Sequence, residues 1–137
     1  IREARALAEK EKVTVDFILA DITGMPELKN PFDFVLDFST FHIIPEAQRS
    51  GYLRELQRLT HPGSQYFLRV FSKRAPQHEL GFFRSDTTKE ITYAFNRGDI
   101  EQLFGAWFTI SQERETDFTE GNKKLALDEY LMERSQE

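Results

Sequence analysis

The spacing of apolar positions changes several times along the chain, and each change marks an element. Ile1, Ala4, Leu7 and Ala8 recur at helical spacing with charges between them, so residues 1–12 read as a short amphipathic helix. That helix opens the sequence without a start of its own, and the expectation is that a longer protein continues upstream. Residues 13–20 are a short, partly β-branched apolar run that predicts a strand, and Asp21-Ile22-Thr23-Gly24 breaks it as a turn. Phe32 to Phe38 is almost continuously apolar and predicts a strand buried on both faces. Pro45 suits the first turn of a helix, whose apolar stripe is Tyr52, Leu53, Leu56 and Leu59, with Arg54, Glu55 and Arg58 facing away. His61-Pro62-Gly63 is expected to end that helix as a turn, and residues 66–71 form the next strand.

The remainder alternates in the same way. Residues 72–86 are polar, hold Pro76 and Gly81, and read as a loop or lid. Ile91, Tyr93 and Phe95 alternate as in an extended segment. Asn96 followed by Asp99 predicts a helix cap, with Ile100, Leu103 and Phe104 as the buried side of a short helix. Residues 107–118 and 124–134 are strand-like and flank Glu120-Gly121-Asn122, a hairpin signal. Helices alternating with apolar strands predict an α/β, Rossmann-like, mostly parallel sheet closed by an antiparallel hairpin. Residues 1–137 form one domain with no internal repeat. Ligands of such sheets bind beyond the carboxyl ends of the strands.

Composition narrows the chemistry. The net charge is −5, so the basic footprint of a nucleic-acid binder is absent. There is no Cys, which excludes disulfides and thiolate-ligated metals and fits a cytoplasmic setting. No apolar run approaches the roughly 18 residues of a membrane span. The 13 Phe residues suit a bulky core or a pocket for a flat ligand. The three His are scattered, which gives no metal-ligand spacing. His61 reads as a helix-end residue, and His78 reads as solvated in the long loop.

Four stretches together resemble the second part of the class I S-adenosylmethionine-dependent methyltransferases. They are VDFILADIT at 15–23, FDFVLDFSTFHIIP at 32–45, YLRELQRLTHPGSQYFLRVFS at 52–72 and DIEQLFGAWFTISQE at 99–113. The segment Asp37 to Pro45, with Arg49 beyond it, is similar to the small-molecule branch that includes thiopurine and thiol methyltransferases. The resemblance implies S-adenosylmethionine as cofactor and a small-molecule acceptor, with a thiol or similar soft nucleophile receiving the methyl.

The same resemblance implies roles for particular residues. Asp21 and Ile22 would hold the adenine; from pattern alone, Asp21 equally opens a turn. Asp37, Phe38 and Ser39 would lie beside the cofactor, or Asp37 would serve a neighbouring helix N-terminus. Thr40 and Phe41 would face the acceptor. His42 would take a proton from it, or merely mark a helix entry. Phe82 and Phe83 would cover the acceptor or pin the loop, and Arg84, like Arg69, would bind an anionic group or pair with a surplus acid.

One departure is large. The family's first two strands and its Gly-rich turn have no counterpart, and no Gly-x-Gly occurs. A sheet built from these residues alone would have a gap between the strands at 13–20 and 32–38. An upstream segment or a second copy in a homodimer is expected to fill it. The alternative is a noncatalytic, truncated methyltransferase-like module that binds a partner.

Overall fold

The computed structural model describes residues 1–136. Helix α1 spans Arg2–Lys10 and buries none of its side chains. Residues 13–20 form no strand, and Leu19 is 88% exposed. This corrects the predicted strand. A strand is defined by the groups it bonds to, and no described segment offers this one a ladder.

Strand β1 (Phe32–Phe38) forms as expected and pairs in parallel with β2 (Thr60–Ser72), matching Phe34 to Gln65 and Phe38 to Arg69. It is not buried on both faces. Val35 and Asp37 turn towards the helices, whereas Phe34 is 50% and Leu36 61% exposed. Among the described residues β1 pairs only with β2, so it forms an open sheet edge.

Helix α2 (Glu46–Leu59) starts after Pro45, which occupies the N-cap rather than the first turn. Tyr52 and Leu56 are buried, as the stripe predicts. Glu55 was expected to face solvent, but it is buried because Arg58 Nη2 reaches its Oε2 at 2.6 Å. The helix stops when Thr60 turns extended and returns its Oγ1 to Leu56 O at 2.7 Å. His61-Pro62-Gly63 therefore lies inside β2, not in a separate turn. Gly63 takes a φ of 89° where the β1 register shifts.

Along its other edge β2 pairs antiparallel with β6 (Lys123–Arg134), and β6 pairs with β5 (Phe108–Glu120) as the expected hairpin. The predicted lid contains structure of its own. A 3₁₀ turn at Pro76–His78 leads into β3 (Phe82–Arg84), which forms a hairpin with β4 (Ile91–Phe95). Strand β4 continues the β1 edge of β2, pairing Ala94 with Phe71 in parallel. The α/β class holds, and the sheet is mixed, with parallel pairing confined to β1–β2 and β2–β4. Helix α3 (Arg97–Phe104) is capped as predicted, with Asn96 Oδ1 accepting from Asp99 N and Asp99 returning to Asn96 N.

Helices cover one face of this sheet. Tyr66, Leu68 and Val70 of β2 meet Tyr52, Leu56, Ile100 and Phe104 there in a continuous core. The other face presents Phe34, Leu36 and Phe38 beside the partly exposed Phe67 and Arg69. Among the described residues no helix is long and apolar enough to cross a membrane.

Candidate active site

The carboxyl end of β1 carries the polar groups around which a site can form. Asp37 is buried, and its carboxylate accepts from Thr40 N at 2.7 Å, Phe41 N at 3.0 Å and Tyr52 Oη at 2.6 Å. Tyr52 Oη lies 2.8 Å from Tyr66 Oη, extending the network into the core. Burial pushes the Asp37 carboxyl above its usual range, against the pull of these donors. Burial likewise raises both tyrosines well above theirs, with the neighbouring Asp37 charge adding to the effect. Asp37 thereby caps the 3₁₀ turn Phe41–Ile43 and fixes the backbone beyond the strand. Ser39 takes a φ of 76° and sends its N–H to Arg69 O at 3.2 Å.

The acidic turn is held against α2 by two devices. Gly51 lets the backbone approach so closely that a Cβ there would sit 2.9 Å from Thr23 O. Arg58 Nη2 donates to Pro26 O at 3.2 Å. Within the turn, Asp21 Oδ1 accepts from both Thr23 N at 2.8 Å and Thr23 Oγ1 at 2.7 Å. Those bonds hold the Asp21 carboxyl below its usual range. Oδ2 has no partner among the described residues, so turn formation leaves one oxygen free to accept. Ile22 packs on the core and shares a cavity of about 180 Å³ with Leu36, Asp37 and Thr40.

Other candidate residues fall elsewhere. Phe38 lies under the Arg69 guanidinium, 4.4 Å from ring centroid to Cζ. Phe41 belongs to the core rather than to an acceptor wall; it is fully buried, 5.1 Å from Phe104 and 5.2 Å from Tyr52. His42 is buried with its ring 4.7 Å from Phe71. Burial, then the charge of Arg69, lowers its pKa to about 4, and its Nδ1 has no partner among the described residues. His78 is fully buried, not solvated, because it stacks 4.2 Å from Phe83 at the base of the β3–β4 hairpin. Phe83 therefore pins the hairpin, whereas Phe82 points away and stays exposed. Arg84 clamps the hairpin turn through Nη1 to Lys89 O at 2.6 Å. Among the described residues no cluster of three or more His, Asp or Glu is placed to hold a metal ion.

Sequence reasoning missed the Asp37–Tyr52–Tyr66 chain, because both tyrosines sit in apolar patterns that read only as core. It also passed over the close approach at Gly51, which a helical glycine midway along an apolar stripe could have suggested.

Comparisons with known proteins fit this geometry. A family model described as "Methyltransferase domain" matches residues 1–63, from α1 through the acidic turn, β1 and α2. An uncharacterized methyltransferase of Schizosaccharomyces pombe is 29% identical over 103 residues, 75% of this chain and 69% of that protein. Over these residues the chain is similar to the S-adenosylmethionine-dependent methyltransferases. Solved structures show the same methyltransferase fold. One, a SAM-dependent methyltransferase from Methanosarcina mazei, superposes with a TM-score of 0.77 at 19% identity, covering 98% of this chain and 79% of that one. Another is the 1,6-didemethyltoxoflavin-N1-methyltransferase of Burkholderia thailandensis, with bound 1,6-didemethyltoxoflavin and S-adenosylhomocysteine. It superposes at 0.76 with 17% identity, covering 97% of this chain and 56% of that one.

Proposed function

We propose that this methyltransferase chain transfers a methyl group from S-adenosylmethionine to a small molecule at the carboxyl end of β1, and that the acceptor is a soft nucleophile. The observation that carries the reading is Asp21 Oδ2, left without a partner by its turn, in the residue before an Ile22 that shares a cavity with Asp37 and Thr40. In this reading Asp21 Oδ2 accepts from the adenine amino group and Ile22 packs on the ring. The backbone of Phe38 and Ser39, held in place by the capped Asp37, borders the methyl site.

When bound, the cofactor would supply an electrophilic methyl on a sulfonium sulfur, which leaves as the thioether when the acceptor's lone pair takes the methyl. What the chain supplies is placement, since holding the reactants in contact is itself a large share of such a rate enhancement. Thr40 borders the acceptor side. His42, with a pKa near 4, has an unpartnered Nδ1 that can accept a hydrogen bond but is a poor base at neutral pH. An acceptor that needs little deprotonation suits this site, such as a heteroaromatic nitrogen or an acidic thiol. The heteroaromatic substrate named for the Burkholderia relative supports that class.

The test is transfer of labelled methyl from S-adenosylmethionine to thiophenol, benzimidazole and an aliphatic alcohol. Transfer to the first two is expected, with the benzimidazole rate nearly flat between pH 6 and 8. Preference for the alcohol would overturn the soft-nucleophile assignment. Binding of S-adenosylhomocysteine without transfer to any acceptor would favour the noncatalytic module.

A further inference from the structure

A second cavity, of about 620 Å³, opens between α2, α3 and the β3–β4 hairpin and shares no lining residue with the cavity at Ile22 and Asp37. That volume falls in the range typical of small-ligand sites. Its floor is organised around Arg49. Nε of Arg49 donates to Ile44 O at 3.2 Å, which fixes one edge of the guanidinium. The plane rests on aromatic rings, with Cζ 4.6 Å from the Tyr93 centroid and 5.1 Å from that of Phe95. Nη1 and Nη2 have no acceptor among the described residues. An arginine oriented by stacking and a backbone anchor has already lost most of its rotamer freedom, so a ligand need not order it.

The surrounding charges leave Arg49 as the group with donors to spare. Lys73 Nζ is paired with Asp99 Oδ2 at 2.8 Å, and that oxygen also takes Asn96 N at 2.8 Å. Glu46, one turn before Arg49 on α2, lines the same cavity and makes no ion pair among the described residues. One side of the cavity is apolar, with Leu80 77% and Phe82 52% exposed.

We infer that this cavity binds a small carboxylate with a flat apolar body, the carboxylate held in the fork of Arg49 and the body against Phe82. Arg suits a planar two-oxygen anion because its parallel N–H groups match the spacing of the two oxygens. The site rests on its own geometry and not on the methyl-transfer reading.

The test is a calorimetric titration of sodium benzoate into the protein without cofactor, with sodium acetate and inorganic phosphate as comparison anions and, where Arg49 is present, its Nε–Hε resonance followed in parallel. Benzoate should shift that resonance saturably and bind more tightly than acetate. Arg49→Gln should weaken benzoate about tenfold or more, the loss expected when charged hydrogen bonds are removed. Glu46→Gln should tighten it, by removing the opposing carboxylate. Phe82→Ala, a rim change that leaves the core intact, should reduce benzoate to the affinity of acetate. Phosphate binding more tightly than benzoate would overturn the carboxylate assignment. No saturable shift, or benzoate affinity unchanged in Arg49→Gln or Phe82→Ala, would overturn the site.

Discussion

Asp37 shows how a single buried side chain can fix the backbone beyond a strand. Its buried carboxylate is tolerable because backbone amides and a phenol satisfy it, and those same bonds hold the backbone of Phe38 and Ser39 in place. Tyr52→Phe removes the shortest of these donors and is expected to cost about 1.5–3 kcal/mol in urea unfolding. His42 makes a pH prediction. Its folded pKa, about 4, lies below the ordinary value of 6.5, so the unfolded chain binds the extra proton first. Its contribution is fully present above pH 6.5 and is lost as pH falls towards 4, by up to about 3 kcal/mol. Asp37 acts in the opposite sense, because its raised pKa favours the folded state at low pH. The difference between wild type and His42→Phe isolates the histidine. That difference should shrink steadily between pH 6.5 and 4, and a constant difference would contradict the assignment. Asp37 and His42 could be singled out from local sequence. Tyr52 could not, because no short pattern links residues 15 apart.

Among the elements, those whose signals are local were legible. The Asn96–Asp99 cap, the Tyr52–Leu56 stripe and the turn at Gly121 all formed where expected. Asn96→Ala is expected to lower stability by about 1 kcal/mol in thermal unfolding. The misread elements depend on distant partners. Residues 13–20 have strand composition but no ladder, and β1 has a doubly apolar sequence but only one covered face. The segment read as a polar lid hides a hairpin because its anchor is the stacking of Phe83 on His78, which no periodicity announces. Gly51 joins two elements, α2 and the acidic turn. Gly51→Ala raises the helix propensity of α2 by about 1 kcal/mol while pushing Thr23 away. The expected outcome by calorimetry is weaker S-adenosylhomocysteine binding at nearly unchanged melting temperature.

At the scale of the whole molecule, order and spacing of weak motifs identified the fold, while the state of the sheet surface did not follow from them. Phe34, Leu36 and Phe38 line an uncovered face beside an open edge, a combination that promotes association between copies. The central claim is that the acidic turn and the end of β1 hold the cofactor. The most direct test is calorimetric titration of S-adenosylhomocysteine into wild type and Asp21→Asn. Asparagine can keep the Oδ1 bonds to Thr23 but puts an amide donor where, in the proposed reading, Oδ2 would accept from the adenine amine. Saturable one-to-one binding, weakened about tenfold or more by Asp21→Asn at unchanged melting temperature, is the expected result. No binding to wild type, or equal binding to both, would contradict the account.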